Sequence, residues 1–179
     1  MPSTGYTFPG TVTAASGFGL IEWTNPNNII SDDASYASAL NVSGFVTTHY
    51  IRATNFGFAV PTAAQIAGIQ VRFEAFYTVD SGTPIIRDFN IRLIIGGVDQ
   101  STLKTSGSWT QTTPTIQAVG GENDLWSHVL TPAIVNASDF GVAIRARNDD
   151  GSSQADLFID YVQINVHYGL GRSQIRIID

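Results

Sequence analysis

The chain has 179 residues, a net charge of −6 and no cysteine, and charged side chains make up only 13% of it. The missing cysteines exclude disulfides, thiolate-bound zinc and thiol nucleophiles together. The acidic balance, with Lys104 as the only lysine and no run of basic residues, argues against nucleic acid, because phosphate binding needs clustered cations.

Residues 1–10 carry no charged side chain and contain Pro2, Gly5, Pro9 and Gly10, which predicts an extended N-terminal arm. Neither a basic nor an apolar stretch follows Met1, and no apolar run reaches the ~20 residues needed to cross a bilayer. The chain is therefore expected to be made and kept in the cytosol unless it leaves by another route such as cell lysis, with no membrane partner. Weak strand patterns cover Phe18 to Trp23 and Ala37 to Val42, and clearer ones Thr47 to Thr54 and Phe56 to Val60.

The strongest local signal lies at residues 69–79. There Ile69, Val71, Phe73, Ala75, Tyr77 and Val79 alternate with mostly polar neighbours, the period-two pattern of a half-buried strand. After a turn carrying Asp80, Ser81, Gly82 and Pro84 the pattern resumes. Phe89, Ile91, Leu93 and Ile95 are placed inward, Asn90 and Arg92 outward, and Gly96 with Gly97 ends the strand. The two strands read as hairpin-like neighbours. Trp109, between Ser106 and Thr113, reads as an exposed loop aromatic and is the candidate for glycan contact, whereas Trp23 and Trp126 read as packing residues.

Helix is scarce. Thr131 is placed to cap a single short turn that begins with Pro132. Strands then run from Phe140 to Arg147 and from Leu157 to Tyr168, separated by the turn cluster Asn148, Asp149, Asp150, Gly151, Ser152 and Ser153. Gly169 and Gly171 detach a C-terminal arm with an apolar end. Its Leu170, Arg172, Ile175, Arg176, Ile177 and Ile178 are candidate interchain contacts, since burying an isoleucine contributes ~1.5–3 kcal/mol. The fold class expected is all-β: an antiparallel jelly-roll-like β-sandwich, one domain over residues 11–168, with arms at 1–10 and 169–179.

No catalytic apparatus is legible. His49, His128 and His167 lack metal-ligand spacing, and nucleophile-elbow, P-loop and dinucleotide glycine motifs do not occur. Asp32, Asp33, Asp149, Asp150, Asp156 and Asp160 are the main acidic groups, and adjacent aspartates in Gly/Ser-rich turns read as solvated turn chemistry. Asn148, Asp149, Asp150 and Asp156 are the oxygens that could meet Ca²⁺, without the spacing of a dedicated loop. The sequons at Asn41 and Asn136 read as accidents in a chain without a secretory signal. No catalytic residue, cofactor or metal is expected.

Several blocks look like a known module. They are Trp23 to Ile30 with Asp32, Asp33 and Tyr36 to Ser38; Tyr50 to Pro61 continuing to Ile66 to Ile69; Asp124, Leu125 and Trp126; Thr131 to Ala133; Asn136 to Val142; and Asp160 to Val162 leading to Val166, His167 and Tyr168. Over residues 18–168 this order resembles the jelly-roll-like sandwich of tailed-phage virion proteins, including capsid cement (decoration) proteins and tail-associated proteins. The resemblance implies a non-enzymatic structural protein of a phage particle. It would be a cement protein on the outer shell, forming a homotrimer with itself and contacting the major capsid protein or another virion protein. The alternative implied is a tail-fibre, baseplate or carbohydrate-binding module that recognises host surface glycans.

Overall fold

In the computed structural model, which describes residues 1–15 and 19–170, the alternating segments form two sheets packed face to face. The strands are β1 (Thr11–Ala15), β2 (Ala37–Ser43), β3 (Tyr50–Thr54), β4 (Gln65–Ser81), β5 (Ile86–Ile95), β6 (Val98–Asp99), β7 (Thr110–Gln111), β8 (Thr115–Gly120), β9 (Gly141–Asn148) and β10 (Gln154–Gly169). One sheet has the order β1-β3-β9-β5-β6; the other has β2-β10-β4-β7, with β8 also on β4. Every pairing between named strands is antiparallel except the two-residue match of β7 with β4. This is the expected jelly-roll-like β-sandwich. Ile69, Val71, Phe73 and Ala75 of β4 face Val142 and Ile144 of β9 and Ile91 and Leu93 of β5 across one core.

Several expectations are corrected. β4 and β5 are not hairpin partners: β4 pairs with β10 and β5 with β9, so the turn after Ser81 carries the chain from one sheet to the other. Phe56 to Val60 keeps its alternation, burying Phe56, Phe58 and Val60, yet it forms no strand. Of the segment Phe18 to Trp23, Phe18 lies outside the described residues and Ile21 makes only an isolated bridge to Thr48. Phe89 is not inward. A bulge between Asp88 and Asn90 inserts it as an extra residue, and its ring lies beneath Arg147 on the outer face instead.

Residues 1–10 are extended but are not a detached arm. Ser3 bridges His167 and Thr7 bridges Ile164, continuing the sheet along β10 where β2 ends. Tyr6 and Tyr161 flank the Arg72 guanidinium, with its carbon 3.7 Å from the Tyr6 ring centre. At the other end, Leu170 is exposed, while Arg172, Ile175, Arg176, Ile177 and Ile178 lie outside the described residues. The short helix α1 (Pro132–Val135) forms as expected, and Thr131 Oγ1 accepts a hydrogen bond from the Ile134 N–H at 3.3 Å.

Candidate functional site

The outer face of the β3-β9-β5 sheet collects the arginines. Ile51 and Ala53 of β3, Ile144 and Ala146 of β9, and Ile86, Ile91 and Leu93 of β5 point into the core. The period of two therefore sends Arg52, Arg87, Arg92, Arg145 and Arg147 outward. These are five of the six arginines among the described residues. Register aligns them: Ala143 of β9 sits between Arg52 of β3 and Arg92 of β5, and Arg145 faces Asn90.

Tyr50 is the pivot of this face. Its ring packs with Ile94 and Ala143 in a small apolar cluster separate from the main core. The guanidinium carbons of Arg145 and Arg92 stand 4.9 and 5.1 Å from its ring centre, within cation–π range. Burial raises the Tyr50 phenol above its ordinary pKa, against the pull of Arg145 and Arg92. Asn90 orients its amide so that Oδ1 accepts from Arg145 Nε at 2.8 Å and Nη2 at 2.6 Å. Burial, with Arg92 and Arg147 close by, lowers the pKa of the Arg145 guanidinium. Arg92 Nε is buried with no hydrogen-bond partner among the described residues.

A tight turn builds the rim. Ile95 pairs with Val98, and the two residues between them, Gly96 and Gly97, both have positive φ (59° and 73°). That conformation suits glycine and closes a two-residue hairpin. The turn holds the Gly97 carbonyl 2.7 Å from Arg52 Nη2 and the Asp99 carboxylate 2.9 Å from Arg52 Nε. Val98, 63% exposed, stands beside them. Together Tyr50, Arg52, Arg92, Gly97, Val98, Asp99 and Arg145 line an open pocket of about 620 Å³.

The sequence-predicted residues lie elsewhere. Trp109 was expected to be exposed but is 4% exposed, packed edge-on against Phe73, with its indole N–H 3.4 Å from the Asp88 carboxylate. The same carboxylate accepts the Ser106 N–H at 2.6 Å, which draws the expected loop down onto the core. Trp109 is thus corrected from glycan contact to packing residue. Trp23 and Trp126 are buried, donating to the carbonyls of His49 and Ile69. Asp149 is not an idle turn residue; it is ion-paired with both Arg87 and Arg147. Asp150 caps its own turn through Ser152. Among the described residues no group of three or more His, Asp and Glu is placed to hold a metal.

The outer face of the second sheet is different in kind. Phe76 and Phe158 stack on each other at 4.8 Å with Tyr36 edge-on to both, so each phenylalanine covers one face of the other. Beside them Glu74 and Asp160 interact, and burial raises both carboxyl pKa values.

No protein-family model matches the chain, and no curated protein matches it. Solved structures do match in architecture. The CBM22-2 xylan-binding domain of Xyn10C from Paenibacillus barcinonensis is 13% identical, over 87% of this chain and 91% of that one, with a TM-score of 0.44. CBM29_1, a family 29 carbohydrate-binding module from Piromyces equi, is 9% identical, over 92% and 91%, with a TM-score of 0.37. SGBP-B from a xyloglucan utilization locus in Bacteroides uniformis is 14% identical, over 89% of this chain and 46% of that one, with a TM-score of 0.46. Similarity at this level describes the sandwich and carries no argument about a ligand. The capsid cement role expected from the sequence is corrected here: the xylan-binding domain and the family 29 module named above are carbohydrate-binding modules, not virion components. The extended N-terminal segment is bridged to β10 of its own domain.

Proposed function

We propose that the domain is a non-catalytic carbohydrate-binding module that holds a glycan on the outer face of the β3-β9-β5 sheet. The observation that carries this reading is the open pocket at Tyr50, about 620 Å³, within the size range of small-ligand sites. Its floor is strand-borne and therefore preorganised. Planar guanidinium donors, the Asp99 carboxylate and the apolar Val98 lie side by side there. A sugar presents the matching surface, with hydroxyls that donate and accept around a ring whose C–H groups are apolar. Asp99 is the one carboxylate among the lining residues and is ion-paired with Arg52, whereas glycoside hydrolysis takes two carboxyls across the bond. The pocket is suited to holding a sugar rather than cleaving it.

Affinity electrophoresis against a panel of neutral and acidic polysaccharides tests the reading. Retardation by at least one of them, lost in Arg145→Ala with the melting curve preserved, is the expected result. Free migration through every gel of the panel overturns it.

A further inference from the structure

We infer that the ligand of this face is an acidic glycan, a chain whose sugars carry carboxylate groups. This deepens the carbohydrate-binding reading and rests on it. The protein as a whole is acidic, at −6, yet among the described residues the five arginines of this face form ion pairs with two carboxylates, Asp99 and Asp149. The two acids are already committed: Asp99 to Arg52, and Asp149 to Arg87 and Arg147. Arg92 and Arg145 are left inside the pocket with no ion pair to a carboxylate among the described residues. Arg145 is held rigid by the Asn90 amide and the Tyr50 ring, and Arg92 keeps a buried Nε donor unmatched. A neutral polysaccharide leaves both cations without a counter-charge. A carboxylate entering between them accepts the forked, charge-assisted hydrogen bonds that guanidinium groups make best.

The geometry also separates this ligand from other polyanions. Both guanidinium groups lie over the Tyr50 ring, and Tyr50 is 2% exposed, so it offers no platform for stacking a nucleobase. Outside the pocket the cations of this face are Arg87 and Arg147, both paired with Asp149, so the unpaired charge is not drawn out as a track for successive phosphates. Asp99, inside the same pocket, reduces the three positive charges of the lining to a surplus of two, which carboxylates on neighbouring sugars can match.

The intact chain is titrated with polygalacturonate, with neutral galactan and with a thymidine 20-mer, at low and at high salt. Polygalacturonate should bind at least about tenfold more tightly than galactan at low salt, with the gap narrowing as salt rises. Arg92→Gln should shrink that gap severalfold, and Asp99→Asn should widen it. Should Arg92→Gln fail to fold, the opposite-signed effect of Asp99→Asn decides alone. Equal binding of the two polysaccharides, or variants that change both equally, overturns the acidic specificity and leaves the module reading intact. Oligonucleotide binding as tight as polygalacturonate also overturns it, exposing a general anion surface. Absence of binding to any polysaccharide removes both readings.

Discussion

Asn136 serves Val60 as a neighbouring strand would: its side-chain amide donates to the Val60 carbonyl at 2.8 Å and accepts from the Val60 N–H at 2.9 Å. Val60 is buried at the end of an alternating segment that has no sheet partner, so these two bonds satisfy groups that would otherwise be stranded. Asn136→Ala should lower unfolding free energy by about 2–3 kcal/mol, two hydrogen bonds plus the exposure of their partners. Urea denaturation measures this. A loss below about 0.5 kcal/mol would show that the packing of Phe56 and Phe58 alone holds the segment.

Asp149 separates two arginines that register places side by side, Arg87 on β5 and Arg147 on β9. Asp149→Asn leaves those cations facing each other and should cost about 1 kcal/mol, a modest figure because Arg87 is 40% exposed. The loss should diminish in high salt as the repulsion is screened. Asp150→Asn, at a turn residue whose carboxylate bonds to Ser152, should leave the melting temperature unchanged. Equal behaviour of the two variants in thermal melts would contradict the bridging role of Asp149.

Glu74 and Asp160, like Asp80 and Asp88, are carboxyls whose pKa burial raises. Burial, then the neighbouring negative charges, raises the Glu74 carboxyl; burial likewise raises Asp160, against the Ala34 N–H that bonds it. A raised folded-state pKa means that the native state binds its proton more tightly than the unfolded chain. The resulting stabilisation is complete below the unfolded carboxyl value near pH 4 and is lost as pH rises through the folded value. Melting temperature should therefore hold or rise as pH falls from 7 towards about 5. Glu74→Gln should melt slightly higher than the parent at pH 7, by ~0.5 kcal/mol or less, with the advantage gone near pH 4. A parent that loses stability steadily from pH 7 to 5, with Glu74→Gln no better, would show that the pair is already relieved by solvent.

Much of the fold is legible in the order of the residues. The alternation at Ile69 to Val79 and at Val162 to Tyr168 reports which side of a strand meets the core, and β4 and β10 bear it out. Pairing is not legible. Asp80 to Pro84 looks like a hairpin turn, but nothing in a turn's composition says whether the chain returns to the same sheet or crosses to the other. The bulge at Phe89 is likewise invisible, because one inserted residue leaves the composition of the strand unchanged while reversing the face of that side chain. The site escaped for a third reason. Tyr50, Arg92 and Arg145 sit on three strands far apart in sequence, so the cations never form a run; their trace is the alternation that sets Arg92 between Ile91 and Leu93 and Arg145 between Ile144 and Ala146. Trp109 misled because a Ser/Thr/Gly-rich context resembles an exposed loop, whereas the buried Asp88 supplies the acceptor that lets the indole go inside.

The bulge bears on the proposed binding as well as on register. By displacing Phe89 to the outer face it sets an aromatic ring 4.0 Å below the Arg147 guanidinium and 4.9 Å from that of Arg145. Each such contact is worth roughly 0.5–1 kcal/mol where solvent is partly excluded, and together they restrict how far the two cations can swing. Phe89 takes no part in the main core, so its truncation should weaken the site more than the fold. Phe89→Ala is expected to lower polygalacturonate affinity by about three- to tenfold, through loss of preorganisation, with galactan binding changed far less. Phe89→Tyr, which keeps the ring face, should retain most of the affinity, and Phe89→Leu, which keeps bulk without it, should resemble the alanine variant. Titration calorimetry paired with thermal melts separates the outcomes. Were Phe89→Ala to melt as early as a core truncation such as Phe73→Ala, the residue would be a structural support and the bulge no part of the binding surface. Should all three variants bind like the parent, Arg145 is held by Asn90 alone and the aromatic ring beneath it is incidental.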